Sequence, residues 1–431
     1  MGAKMQVRRY RYKLRVISKA KERKLLMFAG AYRLLYNLAL LQREFLWWQK
    51  RERTNYARQC AELGMLKEEF PWLSEVHSQV LQQALRDLDR AYRNFLAGRA
   101  SRPRLKKRNR HLSFRYVQDV KIDGNRIYLP KIGWFRMFLS RKIPRDAEIG
   151  EVTILREPDG WYVSIVVKGN FCRQAEDTKL IGVDVGIRDF ACLSDGTRIE
   201  HPRILEKWLR KLAWEQRKLA RKKKFSKRWQ RQAQKVARVM RKIARIRHDF
   251  LHKVSTAIAK NHGVMVEDLK IKNMSRRTKG KGASARSALN RLILDSGWGS
   301  FLRMLEYKCE QYGQVFLKVA PQRTSQTCSV CGFAHPKNRK GKRFRCLACG
   351  HAEDADVNAA KVILQKGLAA LLKGPTAGPA GSNARGEGSG SGTGACPVYE
   401  PSFAETGIPR LWSWEGQALA DNRLAELGGL R

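Results

Sequence analysis

Two C-x-x-C pairs in the last third of the chain constrain its folding more than any other feature of the sequence. Fourteen residues separate the pairs and a glycine directly follows each one; the four cysteines are Cys328, Cys331, Cys346 and Cys349. Two loops that each present two thiolates can hold one Zn²⁺ in tetrahedral geometry. The pattern therefore predicts a zinc ribbon, although its spacer is one residue shorter than the usual range. Because four protein ligands leave no open position for water, the zinc should be structural.

Disulfide pairing of the same cysteines is the alternative. The chain has nine cysteines, spread through a long, Lys-rich sequence. Its basic N-terminal segment MGAKMQVRRY has no apolar signal core. We therefore expect a cytosolic or nucleoid-associated protein, and because disulfides are rare in reducing compartments, zinc is the preferred interpretation.

Charge is the second constraint. The 431 residues include 87 Lys and Arg against 39 Asp and Glu, which gives a formal net charge of +48. A chain so far from neutrality repels itself unless a polyanion neutralises it, and its basic residues run through nearly the whole length. This favours a long track for nucleic acid. A membrane partner is not expected, because no apolar run approaches the length of about 18 residues that a spanning helix needs.

Hydrophobic periodicity predicts three segments before residue 178. Residues 10–17 alternate and should form a strand, the first of the segment 1–17. Residues 18–104 have helical spacing and should form a small bundle with an apolar core. Residues 105–177 carry short alternating runs broken by Asp-Gly pairs, which predict a small β-barrel or curved sheet that could include the first strand. The apolar positions assigned to the first long helix are Leu34, Leu38, Leu41 and Phe45.

An α/β pattern follows. An apolar strand within Lys179–Gly196 carries Asp184 in its middle, and a later apolar strand, VMV, ends in Glu267. A carboxylate inside an apolar strand is costly unless it binds something. Between the two strands, residues 205–260 predict a basic helical hairpin that grips phosphates, since its first 43 residues contain only Glu206 and Glu215 as acids.

A third acidic position, Asp356, begins an Ala-rich helix just after the cysteines, and its neighbour Asp354 is expected to cap that helix. If Asp184, Glu267 and Asp356 come together, they repel one another unless cations lie among them. Carboxylate oxygens select Mg²⁺ or Mn²⁺. Two such ions, about 3.5–4 Å apart, can clamp the attacking water and the leaving oxygen of a phosphodiester. Together with the charge, this predicts hydrolysis of nucleic acid.

The segments IGVDVGIRDFACLSDG, VMVEDLKIKNM and DADVNAAKVIL resemble the three split motifs of a RuvC-type nuclease. With YNLAL, WLSEVHSQVLQQALRDLDRAYRNF, WGSFLRMLEYK and TSQTCSVCG, their order resembles the TnpB family of transposon-encoded, RNA-guided DNA endonucleases, which are related to type V CRISPR effectors. The resemblance covers roughly residues 5–367. The Trp-rich segment LWWQK departs from the family pattern and is most simply interpreted as core.

The resemblance implies a multidomain fold of α/β plus β-barrel type. An N-terminal β-barrel wedge domain carries a helical recognition insert, and an RNase H-like (RuvC) nuclease domain carries the zinc ribbon as an insert that binds the target nucleic acid. The implied ranges are 1–17 and 105–177 for the wedge, 18–104 for the recognition insert, 178–325 and 353–367 for the nuclease, and 326–352 for the ribbon. Residues 368–431 are Gly-rich at their start and are predicted to be a disordered tail.

The resemblance also implies roles for individual residues. Asp184, Glu267 and Asp356 would be the catalytic triad that binds two Mg²⁺ or Mn²⁺ ions, beside one structural Zn²⁺. The partners would be a guide RNA encoded at the transposon end and double-stranded target DNA next to a short transposon-adjacent motif, with the protein a monomer bound to its RNA. The candidate residues for reading that motif are Ser78, Gln79 and Gln82, since Gln can pair bidentately with adenine.

Three alternatives remain open from the sequence. A catalytically silent, RNA-guided repressor would bind DNA without cutting, although the intact acidic triad counts against it. A transposase would use a similar acidic site to join DNA 3′-hydroxyls without RNA. A small CRISPR-associated effector would differ only in where its guide is encoded.

Overall fold

The computed structural model describes residues 6–107, 112–144, 146–171, 179–276 and 283–372, without the side chain of Lys272. The chain divides into two compact units. One consists of Met1–Cys172 with Arg221–Arg238, and the other of Arg173–Ala220 with Val239–Arg431.

The first unit is built on a seven-stranded antiparallel sheet. Its strands are β1 (Gln6–Arg15), β2 (Ser113–Tyr116), β3 (Lys121–Asp123), β4 (Arg126–Leu129), β5 (Gly133–Phe138), β6 (Glu148–Glu157) and β7 (Gly160–Gly169). The order is β2-β6-β7-β1-β5-β4-β3. The N-terminal strand β1 thus lies in the middle, paired with β5 and β7, and buries Tyr10, Tyr12 and Leu14 on one face. Among the described strands the series ends at β2 and β3, so this is an open sheet and not a closed barrel.

Helices of the first unit pack on this sheet. They are α1 (Lys19–Phe45), continued by a π-helical turn (Leu46–Lys50), then α2 (Tyr56–Ala61), α3 (Leu63–Glu69), a 3₁₀ turn (Pro71–Glu75) and α4 (Ser78–Leu96). Ser18 caps α1, because its hydroxyl accepts the N–H of Lys21. The aromatic rings of Phe28 on α1 and Phe114 on β2 lie 5.5 Å apart, centroid to centroid, in the core.

The apolar stripe assigned to α1 from the sequence is wrong in its position. Leu38, Leu41 and Phe45 are exposed, whereas the buried stripe runs through residues such as Phe28, Leu35 and Leu40. Helix α1 is apolar on more than one face, so periodicity alone does not decide which face α4 and the sheet cover.

The segment Lys19–Lys50 is long and apolar enough to cross a membrane by length and composition, and half of its most apolar window is buried in the fold. The core helix of a folded domain meets the same criterion, so this finding is weak evidence for a membrane span.

The second unit contains a five-stranded mixed sheet. Its strands are β8 (Lys179–Val185), β9 (Asp189–Leu193), β10 (Arg198–Glu200), β11 (His262–Glu267) and β12 (Phe316–Val319), in the order β10-β9-β8-β11-β12. Strands β8, β11 and β12 are parallel to one another, and β9 is antiparallel to both of its neighbours. The central strands are apolar because helices cover them.

The helices after β7 are α5 (Ile204–Ala220), α6 (Lys227–Asn261), α7 (Ile271–Met274), α8 (Ala283–Ser296), α9 (Trp298–Gln311) and α10 (Ala355–Leu372). They belong to the second unit, except that residues 227–238 of α6 are assigned to the first. Helices α5 and α6 fall within and around the basic segment 205–260. Helix α10 continues five residues into the segment expected to be a tail, and the rest of that segment, 373–431, lies outside the described residues.

Helix α10 lies unusually close to the sheet. A Cβ at Gly182 on β8 would overlap the carbonyl oxygen of Ala360 and come within 2.8 Å of the backbone nitrogen of Leu364. A Cβ at Gly367 would likewise come within 2.6 Å of the side chain of Met265 on β11. Two glycines, one on each element, therefore permit backbone contact between α10 and the strands.

A small third sheet precedes α10. Its antiparallel strands are β13 (Arg339–Lys340), β14 (Arg343–Arg345) and β15 (Ala352–Asp354), around a core of Cys328, Phe344, Cys346 and Ala355.

Candidate metal centres

Asp184 and Glu267 lie side by side at the carboxyl ends of two parallel strands. Val183 on β8 pairs with Val266 on β11, so the next residues, Asp184 and Glu267, occupy equivalent positions. Neighbouring strands are about 4.8 Å apart, and equivalent residues point to the same face. That face is the one covered by α10, because Gly182, two residues before Asp184, faces the helix backbone.

Helix α10 adds the third carboxylate. It runs back along β8 from its first turn, which contains Asp356, to the contacts of Ala360 and Leu364 with Gly182. The expected capping role of Asp354 is confirmed: its carboxylate accepts the N–H of Asp356 at 3.0 Å and that of Val357 at 3.4 Å. The first turn of α10 is thereby oriented towards the carboxyl ends of the strands.

The electrostatics of the three acids reflect their proximity. The pKa of Asp184 is raised to about 7, first by burial and then by the negative charges of Glu267 and Asp356, while Arg339 opposes the shift. Burial also raises the pKa of Glu267, against the lowering effects of the Thr324 hydroxyl and of Lys366. Partly buried carboxylates that repel one another are stabilised by a cation, and their hard oxygen atoms suit Mg²⁺ or Mn²⁺.

Two of the acids have protein partners in this structure. The Arg339 guanidinium lies 2.8 Å from the Asp356 carboxylate, and the hydroxyl of Thr324 donates a hydrogen bond to Glu267. The three carboxylates are not drawn as tightly together as the ligands of a bound ion. Within the described residues, the four cysteines alone bring three or more possible ligand atoms within 4.8 Å of one another.

The cysteine sulfurs form a compact cluster. The Sγ atoms of Cys328 and Cys349 are 3.7 Å apart, and those of Cys331 and Cys346 are 3.5 Å apart. A tetrahedral site with Zn–S bonds of about 2.3 Å requires sulfurs about 3.8 Å apart, so the cluster fits Zn²⁺.

The two C-x-x-C loops have the same local geometry. Gly332 donates its N–H to the carbonyl of Cys328, and Gly350 donates to that of Cys346. Both glycines adopt a positive φ, 75° and 73°, which explains why glycine follows each pair.

Backbone N–H groups already favour one thiolate. The pKa of Cys346 is lowered to about 6, chiefly by the N–H of Cys349. The pKa of Cys349 moves the other way, to about 12, because the backbone of His351 lowers it less than the neighbouring thiols raise it. The geometry of the four sulfurs, rather than their protonation, is what suits a tetrahedral cation.

The cysteine cluster is connected to the acidic site through one buried amide. Asn358, in the second turn of α10, accepts the N–H of Ser329 at 3.0 Å and donates to the carbonyl of Thr327 at 2.8 Å. Its side chain is fully buried. Gln365, farther along the helix, donates to the carbonyl of Ser329 at 2.6 Å. The loop that carries Cys328 therefore holds the helix that carries Asp356.

Ion pairs attach the ribbon to the sheet. Besides Arg339 with Asp356, Lys342 lies 3.1 Å from Asp189, and Arg198 on β10 lies 2.8 Å from Asp354. The sequence did not predict a role for the cations Arg198, Arg339 and Lys342. The basic run RKGKR between the cysteine pairs was a possible signal, but which acid each cation would meet depends on the fold.

The candidate motif-reading residues lie in the first unit, at the start of α4. Ser78 and Gln82 are exposed, and Ser78 accepts a hydrogen bond from Lys67 at 3.0 Å. Gln79 is half-buried and donates to Asp119 at 3.3 Å, while its own amide oxygen has no partner among the described residues. All three are thus on one helix end, separate from the acidic site in the other unit.

Comparison with known proteins gives matches along most of the chain. The IS605 OrfB family, described as "Probable transposase", matches residues 163–278, and the Cas12f1-like TNB domain matches residues 298–363. An Escherichia coli K12 protein named "Putative RNA-guided DNA endonuclease InsQ" is 41% identical over 80% of this chain and 89% of its own length. A Streptomyces pristinaespiralis protein of the same general name is 36% identical over 89% and 93%.

Solved structures extend the similarity to the fold. The Cas12f1 chain in a complex with sgRNA and target DNA aligns with a TM-score of 0.52 at 15% identity, over 81% of this chain and 83% of that chain.

Proposed function

This chain belongs to the TnpB family, and from that premise we propose that it is an RNA-guided DNA endonuclease that cuts target DNA next to a short transposon-adjacent motif. The observation that carries the proposal is the meeting of three carboxylates from distant parts of the chain. Asp184, Glu267 and Asp356 lie near enough for the last two to raise the pKa of the first.

We assign these carboxylates as the ligands of Mg²⁺ or Mn²⁺ in a RuvC-type site. Bound divalent ions would supply an activated water and neutralise charge on the leaving oxygen of the phosphodiester. The protein's contribution is placement: parallel pairing of β8 and β11 sets two carboxylates on one face, and α10 brings the third. Thr324 orients Glu267 through its hydroxyl.

The domains follow from the same assignment. Residues 1–17 and 105–177 form the wedge domain, 18–104 the recognition insert, 178–325 and 353–367 the nuclease domain, and 326–352 the zinc-ribbon insert. The mixed sheet of β8–β12, with candidate ligands at the carboxyl ends of parallel strands, supports the nuclease assignment.

Nucleic-acid partners account for the charge. A guide RNA and double-stranded DNA together supply the polyanion that a chain of net charge +48 needs. Ser78, Gln79 and Gln82 remain the candidates for reading the adjacent motif, and the exposure of Ser78 and Gln82 supports a role in binding.

The first experiment is to sequence the RNA that co-purifies with the chain expressed beside its native flanking DNA. The recovered RNA is then tested with a plasmid that carries the matching target. The wild-type complex should cut this plasmid in Mg²⁺, whereas Asp184→Asn and Glu267→Gln should bind RNA and not cut.

Loss of RNA binding in both variants would contradict the assignment of these residues as metal ligands. A transposase would be favoured if the co-purifying RNA is a mixture of unrelated transcripts and if the protein joins DNA 3′-hydroxyls to a target instead of only cutting it. Guided binding by the wild type without cleavage would favour a repressor.

A further inference from the structure

The π-helical turn at the end of α1 exposes two adjacent tryptophans. Trp47 is 39% and Trp48 is 60% exposed, and no residue of the turn Leu46–Lys50 is buried. The sequence suggested that these rings belong to the core, and that interpretation is wrong. Contiguous exposed apolar surface, such as two adjacent tryptophan rings, is a common mark of a binding site.

No face of the turn is buried, so the tryptophans are exposed whichever way the turn is rotated. At α-helical spacing, the buried positions Tyr36, Leu40 and Arg43 would be followed by Trp47 on the same face. Instead the N–H of Arg51 bonds to the carbonyl of Leu46, five residues earlier. Such π-turns are frequent at functional sites.

Two arginines lie against the tryptophan rings. The Arg51 guanidinium is 5.7 Å from the centroid of Trp47 and 5.9 Å from that of Trp48, and Arg53 is 5.5 Å from Trp47. Arg51 has a φ of 55°, in the left-handed region that a residue with a Cβ rarely adopts. Many helices end in this conformation, and here it terminates the π-helical turn.

We propose that Trp47, Trp48, Arg51 and Arg53 form a stacking platform for unpaired bases of a nucleic-acid strand. An exposed ring offers a surface for one base, and the guanidinium groups offer contacts for its phosphates. The surroundings favour this occupant over an apolar protein: Lys50, Arg51 and Arg53 flank the rings, with Glu52 as the one acid among residues 46–53. A flat, aromatic polyanion matches both features.

The inference rests on the proposed function in one respect, namely that nucleic acid is the partner. The test therefore measures binding of oligonucleotides and does not require cleavage. The full-length chain, in buffer without divalent cations, is titrated with a fluorescein-labelled oligothymidine and with an abasic strand of the same length. The quantity of interest is the ratio of the two dissociation constants, because contacts to phosphate elsewhere on the chain cancel in it.

Trp48→Ala should lower the preference for the base-containing strand by about fivefold or more, the range of one base–aromatic stack. The dependence of affinity on salt should stay unchanged, because the phosphate contacts remain. Trp48→Phe should keep most of the preference. Leu41→Ala is the matched control: it removes exposed apolar area from α1, 48% exposed in this residue, without removing a ring.

An unchanged ratio in folded Trp48→Ala would overturn the inference. So would a change of oligomeric state in sedimentation with the ratio intact, since the rings would then serve a protein interface. If Trp48→Ala does not fold, cross-linking of the wild-type chain to a 5-iodouracil strand decides: an adduct at Trp47 or Trp48 supports the platform, and adducts only elsewhere refute it.

The two proposals fail separately. If the wild-type chain cuts guided targets but Trp48→Ala leaves the ratio of dissociation constants unchanged, the endonuclease activity is supported and the platform is refuted. If Trp48→Ala lowers the ratio of dissociation constants but the wild-type chain cuts no guided target, the platform is supported and the proposed endonuclease activity is refuted.

Discussion

Asp184→Asn should stabilise the protein in the absence of Mg²⁺, and the gain should grow as the pH rises from about 4 to about 7. Burial and neighbouring charges raise the pKa of Asp184 from 3.8 to about 7 in the folded chain. In this interval the unfolded chain releases the proton and the folded chain retains it. The carboxyl therefore contributes most to stability below the unfolded pKa, and this contribution is lost as the pH rises through the folded pKa. Asparagine has no charge to bury.

The size of the effect follows from the pKa difference. Three pH units at 1.36 kcal/mol each correspond to about 4 kcal/mol, which is an upper value because the side chain retains some contact with solvent. We expect about 2–4 kcal/mol between wild type and Asp184→Asn at pH 8, and close to none at pH 4. Added Mg²⁺ should reverse the order, because a ligand that binds the folded state stabilises it and the variant lacks one ligand.

Hydrogen exchange measured by mass spectrometry suits a chain of two units, since it reports opening of β8 and α10 separately from β6 and β7. Peptides from β6 and β7 serve as the internal reference. Asp249→Asn, an exposed surface change whose parent side chain is 63% exposed, is the matched control and should have little effect. If the free energy of opening of β8 has the same pH dependence in wild type and Asp184→Asn, burial of the Asp184 charge does not destabilise the fold. A variant that is less stable than wild type at pH 8 would lead to the same conclusion.

Two further predictions follow from contacts around Asp356. Asn358→Ala should leave the N–H of Ser329 and the carbonyl of Thr327 unpaired, at a local cost of about 2–5 kcal/mol, and should reduce DNA cleavage while the four cysteines keep their zinc. Zinc analysis beside a cleavage assay checks it, and unchanged cleavage would contradict the coupling. Arg339→Gln should tighten Mn²⁺ binding several-fold, because the guanidinium competes with a metal ion for Asp356. Electron paramagnetic resonance titration of Mn²⁺ measures this, and weaker binding would instead make Arg339 a support for the carboxylate.

Local patterns predicted the parts of the molecule that depend on neighbouring residues. The spacing of Cys328, Cys331, Cys346 and Cys349 predicted a cluster that the structure brings together. The capping role of Asp354 also followed from its place before an Ala-rich helix. Each involves backbone geometry within a few residues, which sequence spacing describes well.

Patterns failed where several solutions were equally compatible with the residues. Helix α1 is apolar on more than one face, so the sequence assigned Leu38 and Leu41 to the core, whereas α4 and the sheet cover another side. Trp48 was also assigned to the core, but it lies in a terminal turn that has no buried residue. Arg339 is one cation in a strongly basic run, and the sequence does not indicate that it would pair with Asp356.

The sequence alone determined the chemical groups available: four thiolates at zinc spacing, carboxylates within a strand, at a strand end and at a helix start, and a surplus of positive charge. Only the tertiary structure decided how they meet. Parallel register sets Asp184 beside Glu267, and close docking of α10 over Gly182 brings Asp356 to the same end. The reason is physical: residue type and spacing act over a few positions, whereas register and helix docking join residues up to 172 positions apart, and their energies depend on surfaces that form only when the chain has folded.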